Sequence, residues 1–138
     1  MQAVFLTSPE LIAQHWWSVA HLLEPVVSQA ARGEFTIEDL ARMVEGGLAF
    51  AAMACDGDAP VLALVFEFRH YPARMVINIM ALGGRDLARS AVIFWPQFLA
   101  WARESGVTEI EACTSPAMTR ALKGLGFAHT YDVVRCQT

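Results

Sequence analysis

The chain has 138 residues, 55% of them hydrophobic and 17% charged, with 10 Lys and Arg against 14 Asp and Glu for a net charge of −4. That length suffices for one buried core and is short for two, so a single domain over 1–138 is expected. A net negative chain lacks the basic face that phosphate-backbone binding needs, which argues against nucleic acid as a direct partner, and no apolar run reaches the ~20 residues that span a bilayer.

Ser8-Pro9 has the form of an N-cap followed by a first-turn proline, and Ile12, Trp16, Val19, Leu23, Val26 and Ala30 recur behind it at helical spacing. A helix over about 9–32 is expected, kinked or broken near Pro25, with Arg32-Gly33 as its stop. Thr36 and Asp39 have capping-box spacing and open a short amphipathic helix through Leu40, Met43 and Val44, which Gly46-Gly47 ends. From Leu48 the period changes, and LAFAAMAC, DGDAP and VLALVFEF read as an antiparallel hairpin with Asp56-Gly57 at the turn.

Tyr71-Pro72 makes a second turn before MVINIMAL, a run apolar on both faces and therefore a central strand. The stretch IMALGGRDLARSAVIFW breaks at Gly83-Gly84 and resumes as a helix of Ala91, Phe94, Trp95, Phe98, Trp101 and Ala102, with a bend expected at Pro96 and an end at Glu104-Ser105-Gly106. VTEIEAC alternates as a strand, Ser115-Pro116 begins a short helix, and GFAHTYDVVRC reads as a final strand. The expected order is ααβββαβαβ.

Cys55, Cys113 and Cys136 are widely spaced and odd in number, which suits buried thiols of a reducing cytoplasm better than a zinc site or disulfides. His15 and His21 lie six residues apart on the first helix and do not share a face, so no metal site is expected. The chain has more apolar side chain than one small core absorbs, and Trp16-Trp17, Trp95 and Trp101 suit core or interface; self-association or protein partners through apolar, Trp-rich faces are expected. No nucleophile elbow or dinucleotide fingerprint is present.

The order of elements, with GLGF between the last short helix and the last strand, resembles the GNAT N-acetyltransferase superfamily over nearly the whole chain. HWW, FTIEDLARMVEGG, the YP turn, the GG pair and LAWARESG followed by LGF resemble small GNAT-like proteins of tailed bacteriophages in particular. The resemblance implies an α/β (α+β) fold with a GNAT-like mixed central sheet flanked by helices. It also implies acetyl-CoA as cofactor, its pantetheine arm on backbone groups of the central strand over 77–81, Ile79 and Ala81 among them, and its pyrophosphate on a loop written Gln/Arg-x-x-Gly-x-Gly/Ala.

The best fit to that loop places Arg85 first, Ala88 at the first glycine and Ser90 at the second, with Arg89 between them and Gly83-Gly84 as a source of flexibility just upstream. Two readings of Gly83-Gly84 stay open: an altered phosphate loop, or a turn between strand and helix. The tyrosine that serves as acid in many family members is Leu122 here, and the asparagine that often starts its helix is Ser115. Glu67, His70 and Tyr71 near the second turn, with Tyr131, are the remaining acid-base candidates, although exposure of Glu67 on the polar face of its strand and a plain turn role for His70 and Tyr71 are the simpler expectations.

Two functions follow from the resemblance. One is a phage virion or assembly component, internal or ejected, with weak or lost acyl transfer; the other is an acetyl-CoA-dependent N-acetyltransferase acting on a host or phage amine. A non-enzymatic inhibitor of a host system is a third possibility. The implied location is the cytoplasm of a bacterial host or the phage particle.

Overall fold

These periodicities resolve into nine elements in the computed structural model, which describes residues 1–138: β1 (Gln2–Phe5), α1 (Pro9–Ala30), α2 (Ile37–Glu45), β2 (Phe50–Asp56), β3 (Ala59–His70), β4 (Met75–Gly84), α3 (Leu87–Glu104), β5 (Glu109–Ala112) and α4 (Pro116–Lys123). The strands form one sheet in the order β1-β2-β3-β4-β5, antiparallel except for the β4–β5 pair. A parallel pair needs a crossover, and α3 supplies it.

Alternation along the strands gives the sheet two apolar faces. One packs Ala51, Met53, Ala63, Val65 and Ala81 against Val19, Leu23 and Val27 of α1 and Leu40 and Val44 of α2. The other packs Leu62, Leu64, Phe66 and Ile77 against Phe94, Phe98 and Ala102 of α3, with Trp101 stacked on Phe5. Each fully buried Leu, Ile or Phe contributes roughly 1.5–3 kcal/mol, so these two layers carry the fold.

The capping signals act as their chemistry requires. Ser8 Oγ accepts from the Leu11 amide, Thr36 and Asp39 form the reciprocal capping box, and Ser115 Oγ accepts from the Met118 amide. Arg32 and Gly33 both have positive φ, 52° and 76°, which stops α1. In the hairpin, Gly57 takes φ +63° between β2 and β3.

Four expectations are corrected. Helix α1 runs unbroken through Pro25, because its other turns stay bonded and its apolar face stays buried on the sheet. A strand precedes it: Gln2–Phe5 pairs with β2, and Gln97 of α3 accepts from the Ala3 amide at 2.9 Å, covering that sheet edge. The final strand does not form; residues 128–138 are exposed and carry no ladder. Trp95 packs on Phe127 just before them, His129 meets Asp132 within them, and Arg135 ties them to Glu34. The observed order is therefore βααβββαβα.

The fourth correction concerns Gly83-Gly84. Both lie inside β4, opposite Ala63 and Leu62 of β3, and make no turn. A Cβ on Gly83 would stand 2.8 Å from the Leu22 carbonyl oxygen and 2.9 Å from Val26 Cγ2, and one on Gly84 would meet the Val61 carbonyl. Glycine is needed there because α1 and β3 crowd the strand. The chain turns one step later, at Arg85-Asp86, where Asp86 has φ 47°.

Candidate functional site

The central strand carries a β-bulge. Ile79 and Ala81 of β4 oppose the consecutive residues Phe66 and Val65 of β3, leaving Met80 as the extra residue. The β4–β5 ladder runs from Val76–Glu109 to Ile79–Ala112 and stops at that point. Past the bulge the two parallel strands part, and the β5-side backbone of β4 from Met80 to Gly84 has no strand partner.

At the top of this wedge α3 begins. Its first intrahelical bond runs from the Ser90 amide to the Asp86 carbonyl, so the amides of Leu87, Ala88 and Arg89 have no partner within the helix. The Asp86 side chain makes no capping bond to them. These donors, the positive end of the helix dipole and the exposed Arg85 and Arg89 side chains favour an anion. The other loop candidates sit differently. The Arg85 amide donates to the Val61 carbonyl at 2.8 Å, and Ser90 is 3% exposed, with its hydroxyl donating to the Arg85 carbonyl. Ser90 thus braces the turn from inside, and Ala81 is buried against the α1 layer.

Of the acid-base candidates, Glu67 and Tyr71 come together and His70 does not. Strand alternation puts Glu67 and Arg69 on the α1 side of β3 and His70, exposed, on the other. Arg69 Nε donates to Glu67 at 3.1 Å, Arg69 also meets Glu111 of β5 at 3.4 Å, and Tyr71 Oη donates to Glu111 at 2.6 Å. Glu67 is therefore tied into an ion-paired chain, with 23% of its side chain exposed, and does not stand free on a polar face. The hydrogen bond to Glu111 raises the Tyr71 pKa above the ordinary phenol value, because ionisation would set two negative charges against each other.

Sequence reasoning missed Asn78, Arg69 and Glu111. Asn78 lies between Glu67 and Glu111 in the register of the three strands and is 7% exposed. It is the single polar residue in MVINIMAL, a signal that was there to read. Beside this row a half-open cleft of about 460 Å³ is lined by Tyr71, Arg74, Val76, Glu109, Glu111 and Tyr131. A second hollow of about 220 Å³ lies on the far side of Arg85, against Trp17 and His21, whose rings stack. Leu122 is buried, and the Trp95 indole N–H beside Phe127 is buried without a hydrogen-bond partner. No helix is long and apolar enough to cross a membrane.

No protein-family model and no curated protein matches this sequence. Solved structures do. A possible acetyltransferase from Clostridium difficile 630 superposes with a TM-score of 0.68 at 9% identity, covering 99% of this chain and 97% of that one. An acetyltransferase from Trypanosoma brucei gives 0.70 at 13% identity with 99% of each chain covered. An aminoglycoside 6′-N-acetyltransferase from Acinetobacter haemolyticus gives 0.68 at 17% identity over 100% and 98%. With the mixed five-stranded sheet, its bulged central strand and its parted parallel pair, the chain has the fold of GNAT-type acetyltransferases.

Proposed function

We propose that the chain transfers an acetyl group from acetyl-CoA to a primary amine. The observation that carries this reading is the wedge opened by the Met80 bulge, with unpartnered amides at its top and a hydrogen-bonded acid-base chain on the sheet beside its floor. Acetyl-CoA would supply an acetyl thioester activated toward attack by an amine. The chain's part is to hold, orient and move protons. The β4 backbone around Ile79 to Ala81 offers bonding groups for the pantetheine arm, and the Leu87, Ala88 and Arg89 amides with the Arg85 and Arg89 side chains suit the pyrophosphate. Glu111 is an acceptor for the proton an ammonium must lose. With Leu122 in the usual acid's place, Tyr71 Oη, which keeps its proton at neutral pH, is the donor to the departing thiolate.

Calorimetric titration with acetyl-CoA tests this reading. Micromolar binding that Arg85→Ala weakens about tenfold, the scale of one charge-assisted bond, supports it. No binding at millimolar cofactor overturns it.

A second reading, a phage particle or assembly component that has left acyl transfer behind, is favoured by the Leu122 substitution and by the exposed Trp17, Val92 and Ile93. Recovery of the protein in purified particles, and not only in cell extract, supports that reading.

A further inference from the structure

The smaller hollow, of about 220 Å³, is lined by Trp17, Ser18, His21 and Leu22 of α1, by Pro60 at the start of β3 and by Arg85. Ala81 and Gly83 of β4 face α1, and strand alternation carries Arg85 to that same face. The wedge opens on the β5 side of β4, so hollow and wedge share Arg85 and no other residue. Behind the hollow α1 crowds the sheet, with the Leu22 carbonyl oxygen 2.8 Å from where a Gly83 Cβ would stand. A hollow backed in this way is formed before a ligand arrives.

Its charge is opposite to that of the molecule. The chain carries −4 overall, yet no carboxylate lines the hollow, and Asp58 and Asp86, the nearest in sequence to Pro60 and Arg85, stand outside it. None of the six ion pairs takes Arg85 or His21. The 460 Å³ cleft, by contrast, has Glu109 and Glu111 in its walls. Arg85 is a permanently charged planar fork that matches one carboxylate with two parallel bonds, and the Ser18 hydroxyl is a further donor on the same wall. A phosphate dianion would bring a second charge that no other arginine or lysine of the hollow meets.

Trp17 supplies the apolar half of the chemistry. It is 77% exposed, and its ring lies 5.7 Å from that of His21 at an interplanar angle of 9°. An indole so exposed buries little area for the fold, and with His21, Leu22 and Pro60 it offers a flat surface to another ring. A space of about 220 Å³ holds one ring or two fused rings and falls below the ~300 Å³ at which clefts for larger ligands begin.

We infer that this hollow binds a small aromatic carboxylate, with its acid group on Arg85 and its ring along Trp17 and His21. It is a ligand site separate from the wedge, and it does not depend on acyl transfer.

The test is calorimetric titration of quinaldate, a fused two-ring acid, into the full chain with no acetyl-CoA present. Saturable binding is expected, weakened about tenfold by Arg85→Ala through the loss of a charge-assisted bond, and several-fold by Arg85→Lys, which keeps the charge and loses the fork. Trp17→Ala weakens it several-fold at an unchanged melting temperature, because the indole is exposed, and leaves acetyl-CoA affinity where it was. Quinaldine, the ring without the charge, and cyclohexanecarboxylate, the charge without the flat ring, bind about tenfold more weakly. Absence of saturable quinaldate binding, indifference to the Arg85 or Trp17 variants, or equal binding of either control overturns the inference. So does tighter binding of adenosine bisphosphate, the nucleotide end of acetyl-CoA, that Trp17→Ala weakens, since the hollow is then part of the cofactor's site. Failure of acetyl-CoA to bind in the separate titration overturns acyl transfer alone and leaves this site standing.

Discussion

Single residues decide the chemistry of this chain, and Tyr71 is the one to change first. Its hydroxyl gives its proton to the hydrogen bond with Glu111, so Tyr71→Phe removes the donor while keeping the ring. On the acyl-transfer reading turnover falls about 100-fold, the lower end for loss of an acid-base group, with acetyl-CoA affinity unchanged. A steady-state KM and kcat split checks this. Gly83 makes a contrasting case, since its replacement touches stability without chemistry. Gly83→Ala forces a Cβ onto the Leu22 carbonyl and destabilises by about 1–3 kcal/mol in urea unfolding. The sequence displayed the pair Gly83-Gly84 but not its cause. Two adjacent glycines between a strand and a helix suggest a turn, and only the packing of α1 and β3 against β4 shows that they serve close approach. Glu67 and Tyr71 were legible as candidates because they flank a turn; Arg69 and Glu111 became partners through strand register, which no local pattern encodes.

Among elements, the helices were the most legible because their ends carry side-chain caps. The Thr36–Asp39 box also predicts a pH dependence. Bonding from the Thr36 backbone amide, then from its side chain, holds the Asp39 carboxyl below its ordinary 3.8. A depressed carboxylate contributes stability above its unfolded value and loses it as pH falls through the folded one. The stability gap between the natural chain and Asp39→Ala is therefore full at neutral pH and closes below about pH 3.8, which urea midpoints across that range measure. In α1, Pro25 cannot donate to the His21 carbonyl, and Pro25→Ala raises stability by about 1–3 kcal/mol in the same assay. The elements misread were the short terminal ones. β1 is four residues long, too brief for periodicity to register, and is held by pairing with β2. GFAHTYDVVRC has strand-like residues but no ladder, since β-propensity expresses itself only against a partner edge.

Over the whole molecule, apolar patterning and chain order carried most of the fold, and the terminal segment adds little to its stability. Removal of residues 132–138 takes away only surface pairs, His129–Asp132 and Arg135–Glu34, each worth about 0–1 kcal/mol, and a thermal melt of the shortened chain is expected to shift by a few degrees at most. The short β4–β5 ladder has a wider consequence. Four ladder pairs, the ties of Arg69 and Tyr71 to Glu111 and of Arg74 to Glu109, and the packing of Ile110 and Phe127 join the part of the chain from Glu109 onward to the rest. That ladder is shorter than those of β2, β3 and β4, and such a unit detaches at a lower free energy than global unfolding. Its amides then exchange with solvent hydrogen before those of β2 and β3. The wedge and the cleft between Tyr71 and Glu111 each have one wall on this unit and one on the rest of the sheet, so a molecule in either acts as a rivet, slowing exchange across Glu109–Phe127 in proportion to its occupancy and turning affinity into local rigidity.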